Sequence, residues 1–158
     1  MKTRLYIIIA IVIGIIIGVG IFICYKFGMY RALVPIPIVN QYSDLIHITY
    51  PKSGDIISST SSITITGEAR GSWYFEASFP IVVVDWDGRI IGTGHGQAKG
   101  DWMTDEFVPF EGVVTFIVPV INDSNRVYAS RGAVILKNDN PSGDPARDKA
   151  VEIPIIFK

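Results

Sequence analysis

From residue 45 onward, apolar side chains recur at every second position, and this period most constrains what the chain can become. Leu45 to Tyr50 sets Ile46, Ile48 and Tyr50 on one face and His47 and Thr49 on the other. Ser62 to Gly67 opposes Ile63 and Ile65 to Thr64 and Thr66. The same alternation runs through Gly112 to Val120 and Ala150 to Phe157. A period of two marks a half-buried strand. Trp73 to Trp86 is the longest β-prone stretch, and Ile81 to Val84, apolar on both faces, predicts a central strand with Pro80 at a bulge or step in the ladder. Pro154 predicts an edge or bulge position in the last strand. Asp87-Gly88 predicts a two-residue hairpin turn leading into Arg89 to Thr93, and Ala133 to Lys137 completes the set. No stretch beyond residue 30 sustains a 3.6-residue period. About seven strands predict an all-β fold, an immunoglobulin-like antiparallel β-sandwich. The cysteine pair of antibody domains is absent, so the likeness rests on strand count.

The N-terminal part obeys a different rule. Leu5 to Tyr25 is an unbroken apolar run without a charged residue, long enough to cross a bilayer core of about 30 Å as a helix. Lys2 and Arg4 precede it, and no A-x-A-like cleavage site follows Tyr25. The expectation is an uncleaved signal anchor with a cytoplasmic N-terminus and an extracytoplasmic C-terminal domain. Tyr25, Phe27 and Tyr30 fit an aromatic interface belt. Ile23 stands where a lipobox needs a small residue, so Cys24 is not read as a lipidation site. Gly14 and Gly18 form a small-xxx-small pair that lets two membrane helices approach, the candidate contact for a homodimer. The expected division is a leader at 1–4, a transmembrane anchor at 5–27, a tether at 28–44 built around Pro35 and Pro37, and one domain at 45–158.

Composition narrows the partners. Beyond residue 30 lie all 15 acidic residues and 11 of the 14 basic ones, a net charge of −4 with no basic run. Nucleic acid is therefore disfavoured, because phosphate neutralisation needs clustered Lys and Arg. The single cysteine lies in the apolar run, so the outer domain is held by its core without a disulfide.

Several clusters then fall into one order. They are Ile46-His47-Ile48-Thr49-Tyr50-Pro51-Lys52-Ser53-Gly54 and Ile63-Thr64-Ile65-Thr66-Gly67-Glu68-Ala69-Arg70-Gly71, followed by Trp73-Tyr74-Phe75-Glu76-Ala77-Ser78-Phe79 and Asp85-Trp86-Asp87-Gly88. Trp102-Met103-Thr104, Phe107-Val108-Pro109-Phe110 and Leu136-Lys137-Asn138-Asp139-Asn140-Pro141-Ser142-Gly143 complete them. Together they resemble the immunoglobulin-like domain of bacterial spore germination, the second GerMN-associated domain, over roughly residues 45 to 157. The resemblance implies a non-catalytic envelope module of the kind found beside GerMN domains in spore-forming bacteria. It supplies no catalytic residues. Here the module is paired with an apolar N-terminal run.

Asp85 and Asp87 share a strand face at a spacing of two, a pattern that can serve calcium or acid–base chemistry. The remaining ligands of an EF-hand loop are missing, and Asp87-Gly88 reads more simply as a turn with Asp85 a solvated strand end. His47 and His95 have no accompanying cysteine outside the apolar run, which disfavours zinc. Gly92-Thr93-Gly94-His95-Gly96 is not a dinucleotide fingerprint and reads as a flexible or closely packed strand. No nucleophile elbow is present. No catalytic residue, metal ligand or cofactor site is therefore assigned.

Trp73, Tyr74, Trp86, Trp102, Phe107 and Phe110 are the stronger lead. Most aromatics of a sandwich belong to its core, but those at loop ends can stack on sugars or anchor a protein partner. The candidate partner-binding residues are Trp86 and Trp102, then Trp73, with Asp139 and Asn140 in a turn-rich loop. The expectation is a membrane-anchored binding or scaffolding module, with cell-wall glycan or an envelope protein as partner. An extracytoplasmic hydrolase or metal-dependent enzyme using Asp85, Asp87 or His95 is the alternative reading. A subunit self-associating through Gly14 and Gly18 is a third.

Overall fold

A computed structural model describes residues 41–58 and 61–158. The expected anchor, with Gly14 and Gly18, and most of the tether lie outside the described residues. Among the described residues no helix is long and apolar enough to cross a membrane.

Eight strands follow one another: β1 Ile46–Tyr50, β2 Ile56–Ile57, β3 Ser62–Arg70, β4 Ser78–Asp85, β5 Ile90–Ala98, β6 Phe107–Phe116, β7 Arg131–Lys137 and β8 Ala150–Phe157. The one α-helical turn among the described residues, α1, is Arg126–Ala129. The strands form a single sheet in the order β1-β3-β6-β5-β4-β7-β8-β2. All pairs are antiparallel except β2 with β8. The border strands β1 and β2 are consecutive in the chain. Laid flat, eight strands would set the borders about 34 Å apart, whereas the link Pro51 to Asp55 spans at most about 20 Å. The sheet must therefore curl until its borders approach each other, and the result is a sandwich.

The interior shows the same closure. Phe79 of β4 meets Phe110 of β6 edge-on, with ring centroids 4.9 Å apart, and Phe116 of β6 meets Phe157 of β8 at 5.6 Å. Thus β6 lies across the core from β4 and β8. β5 pairs with both β4 and β6 and forms the corner between the layers. Its inner face is Gly92, Gly94 and Gly96, and there is no room for more. A Cβ at Gly96 would stand 2.4 Å from Phe79 Cζ, and one at Gly92 2.6 Å from Phe116 Cβ. The glycine-rich run is thus the closely packed strand of the two readings given above.

The structure corrects several boundaries. Among the described residues there are eight strands rather than seven, because β2 is too short to show a period. The last apolar alternation before α1 belongs to a strand that begins at Phe107, not Gly112, and ends at Phe116. Pro109 is tolerated in it because its carbonyl, and so its nitrogen, points toward β5 beyond the end of that strand, where Lys99 N donates to Pro109 O at 2.8 Å. Trp73 to Trp86 is not one strand. Gly71–Trp73 is a 3-10 turn, and Phe75 and Ser78 close a two-residue reversal over Glu76 and Ala77, at φ 50° and 62°. Those are the dihedrals of a type I′ turn, reached without the usual Asn or Gly. Pro80 sits in register with His95, one residue before the β4–β7 ladder begins at Ile81, and the bulge falls later, between Val83 and Val84. Pro154 accepts from Gly54 N and faces the border ahead of β2, as an edge proline should.

Candidate functional site

The strands run between two ends. At one end, the base, the chain enters at residue 41 and the loops 71–77, 99–106 and 138–149 gather. At the other end, the tip, lie the β4–β5 turn and the β6–β7 connection with α1. The fold divides the candidate residues between them. Trp86 is at the tip, whereas Trp73, Trp102, Asp139 and Asn140 are at the base.

At the base, Trp73 is fully buried and Tyr42 packs edge-on against it at 6.0 Å. It is a core residue and offers no surface to a partner. Trp102 is half-buried and packs against the core beside a shallow depression lined by Tyr74, Met103 and Thr104. Asp139 is tied through its backbone, with its N–H donating to Trp73 O at 3.1 Å. Asn140 is committed to its own loop, where Nδ2 donates to Asp144 O and to Asp148 Oδ1, both at 2.8 Å. Ser142 Oγ donates to Asn140 Oδ1, and Lys149 N to Asn138 Oδ1. This loop spends its polar groups on its own shape. Burial pushes the Tyr74 phenol up to about 12, against a smaller opposite pull from the Ala69 backbone, and its hydroxyl donates to Val108 O at 2.8 Å.

At the tip, the expected two-residue turn at Asp87-Gly88 is a three-residue loop, Trp86 to Gly88. Gly88 N donates to Asp85 O, Asp85 N donates to Arg89 O, and Gly88 takes φ 77°. A glycine at a left-handed position is how a three-residue hairpin rejoins its ladder. Asp85 is not a solvated strand end. It is 6% exposed, and its carboxylate accepts from Asp87 N at 3.1 Å, Arg89 N at 3.0 Å, and Arg89 Nε and Nη2 at 3.2 and 3.1 Å. Burial raises its pKa, but the backbone donors of Arg89 and Asp87 and the guanidinium together outweigh burial and hold it below the usual carboxylate range. The carboxylate is the clamp of the turn.

What the clamp presents is Trp86. The indole is 51% exposed and meets Tyr128 of α1 edge-to-face at 4.7 Å, and Tyr128 is itself 44% exposed. Beside it lies an open depression of about 300 Å³ whose floor includes Val84, Ala133 and Ile135 and whose wall includes Arg131 and Glu152. The side chains of Arg131 and Glu152 have no hydrogen-bond or ion-pair partner among the described residues. Sequence reasoning missed Tyr128, Arg131 and Glu152. Tyr128 and Arg131 are three residues apart in the chain, but Glu152 joins them only through the register of β7 and β8, and nothing in the local sequence announces the group.

The enzyme candidates do not converge. His95 pairs with Pro80 in mid-strand, five residues along β4 from Asp85, or about 16 Å. The Asp85 carboxylate is taken up by the Asp87 N–H and by the Arg89 N–H and guanidinium rather than left open beside Asp87. Among the described residues no group of three or more His, Cys, Asp or Glu is placed to hold a metal ion. His47 instead packs flat on Phe107 at 4.4 Å with Nδ1 2.8 Å from Glu68 Oε1, and the Arg70 guanidinium lies 4.4 Å from the same ring.

A curled, almost wholly antiparallel β-sandwich is the architecture of immunoglobulin-like modules. Within that class, the family model described as the immunoglobulin-like domain of bacterial spore germination matches residues 45–130, and the chain belongs to that family. The match ends before β7, so the Asp139 to Gly143 run lies outside it. No curated protein matches the chain.

Proposed function

We propose that this protein is a single-pass, membrane-anchored module that displays its immunoglobulin-like domain outside the cell and binds or scaffolds a component of the bacterial envelope without catalysis. The observation that carries the reading is Trp86, a half-exposed indole fixed on a turn whose buried carboxylate has no other evident task. Large aromatics held open to solvent on rigid loops are recognition elements, because little entropy is lost when a partner covers them. Family membership supports a binding module and links it to spore germination. The apolar run at Leu5 to Tyr25 supports the anchor.

Retention of the full-length, detergent-solubilised protein on isolated bacterial envelopes tests the reading. Wild type is expected to be retained and Trp86→Ala to be released at least ten-fold more readily, with an unchanged melting curve. Equal retention of the two proteins would remove Trp86 from the function. Topology is tested by labelling intact protoplasts with a membrane-impermeant lysine reagent. Modification of Lys137 or Lys149 is expected, and protection of both would overturn the extracytoplasmic placement.

A further inference from the structure

We infer that the depression beside Trp86 is a binding site for an anionic sugar unit, with Trp86 under the ring, Arg131 on its carboxylate or phosphate and Glu152 accepting its hydroxyl hydrogens. The inference deepens the envelope-binding reading and rests on it.

Three observations meet at this place. The first is the half-exposed indole braced by Tyr128, a platform on which the apolar face of a pyranose can lie. The second is Arg131. The other two tip arginines are already engaged, Arg89 with Asp85 at 3.1 Å and Arg126 with Asp123 at 3.1 Å. Arg131 lines the depression with its planar fork unpaired among the described residues, and that fork matches a carboxylate or phosphate through two parallel hydrogen bonds. The third is Glu152. It pairs in register with Ile135, while Arg131 pairs with Ile156, so acid and base stand four residues apart along β8, about 13 Å. That separation is too wide for an ion pair across the floor and suits a ligand with an anionic group at one end and hydroxyls at the other. Between them the floor is Ala133, which leaves the space open.

Rigidity completes the argument. Asp85 fixes the turn from below, and Gly132, next to Arg131, cannot grow without striking Phe157, where a Cβ would lie 2.3 Å from Cε2. The backbone beneath the platform and beneath Arg131 is therefore fixed by the core, which limits the reorganisation that binding requires.

The test uses the full-length protein in detergent and calorimetric titration with three probes of equal length. They are hexagalacturonate, maltohexaose phosphorylated at its 6-hydroxyls, and plain maltohexaose. Wild type is expected to bind at least one charged probe ten-fold or more tightly than the neutral one, and which charged probe wins tells carboxylate from phosphate. Arg131→Gln is expected to abolish that gap and Arg131→Lys to keep part of it. Trp86→Ala is expected to weaken all three probes ten-fold, with Trp86→Phe close to wild type. Equal affinity for charged and neutral probes, or a gap that survives Arg131→Gln, overturns the site. Absence of binding to all three also overturns it. Retention on isolated envelopes separates the two readings. If Arg131→Gln is retained as well as wild type, the anionic-sugar assignment fails while envelope binding stands. If wild type is not retained, both fail.

Discussion

The two ends of the sandwich solve the same problem with opposite chemistry. At the base, the loops are long and their polar groups turn inward, with Asn138, Asn140 and Asp144 all bonded within the 138–149 segment. Trp73 is fully buried, Trp102 packs half-buried against the core, and Tyr74 ties its loop to β6 through a neutral phenol. At the tip, the 117–130 connection also bonds its own Asn122 and Asn125, but the β4–β5 turn is short, one buried carboxylate satisfies it, and Trp86 and Tyr128 are left half-exposed. The base stabilises itself, whereas the tip is stabilised so that it can be used. An exposed side chain is informative when the structure beneath it is better fixed than a loop needs to be.

Removing the clamp is the hardest blow to that contrast. Asp85→Ala strands two backbone N–H groups, while the exposed Arg89 guanidinium returns to water, and is expected to cost about 3 kcal/mol in denaturant unfolding. A loss under 1 kcal/mol would mean the tip is no more tightly held than an ordinary hairpin.

Titration should separate the ends next. Asp85 has a native pKa below its ordinary value of 3.8, so its stabilisation is complete above that pH and is lost as pH falls through the lowered native value. Tyr74 is raised from 10.0 to about 12, so its contribution is complete below pH 10 and is lost as pH rises through 12. Acid should therefore loosen the tip first and alkali the base. The readout is nitroxide mobility, with a label at Asp87→Cys for the tip or Ser72→Cys for the base, each in a Cys24→Ser background. Asp85→Asn should lose the acid limb and Tyr74→Phe the alkaline one.

The tryptophans sharpen the comparison. Trp102 is packed against the core, so Trp102→Ala is expected to cost about 2 kcal/mol of stability and to leave envelope retention intact. Trp86→Ala should cost under about 0.5 kcal/mol and lose the retention. The reverse pattern would move the site to the base.

The smallest effect concerns the Glu76-Ala77 reversal. Both residues sit in the left-handed region, so Glu76→Asn with Ala77→Gly is expected to raise stability by about 1 kcal/mol, read from the denaturation midpoint.

These residues also show what a sequence reveals. The period of two exposed β3 and β8, because each has one wet face and one dry one; in β1 it holds through Ile48, whereas Tyr50 follows a register shift and is 41% exposed. It could not expose β2, which is two residues long. It also split the strand at Phe107 to Phe116, where Pro109 interrupts the pattern although its nitrogen faces away from β3. The turn at Glu76 and Ala77 was silent because nothing there carries the chemistry that such dihedrals favour. Trp86 was legible as a loop-end aromatic beside Asp-Gly. The burial of Asp85 was not, since a strand-end carboxylate is ordinarily wet, and it is the Arg89 backbone and side chain folding back over it that seal it in. Arg131 and Glu152 are unremarkable residues 21 positions apart in number, and only strand register makes them neighbours.

The placement of the two border strands has a mechanical reading. The described chain begins at the base, beside β1, and Lys158 ends at the tip, where its N–H is bonded to Ile57 O. Tension between residue 41 and Lys158 would run along the strand axes and load the β1–β3, β7–β8 and β2–β8 hydrogen bonds in shear, instead of peeling them apart one at a time.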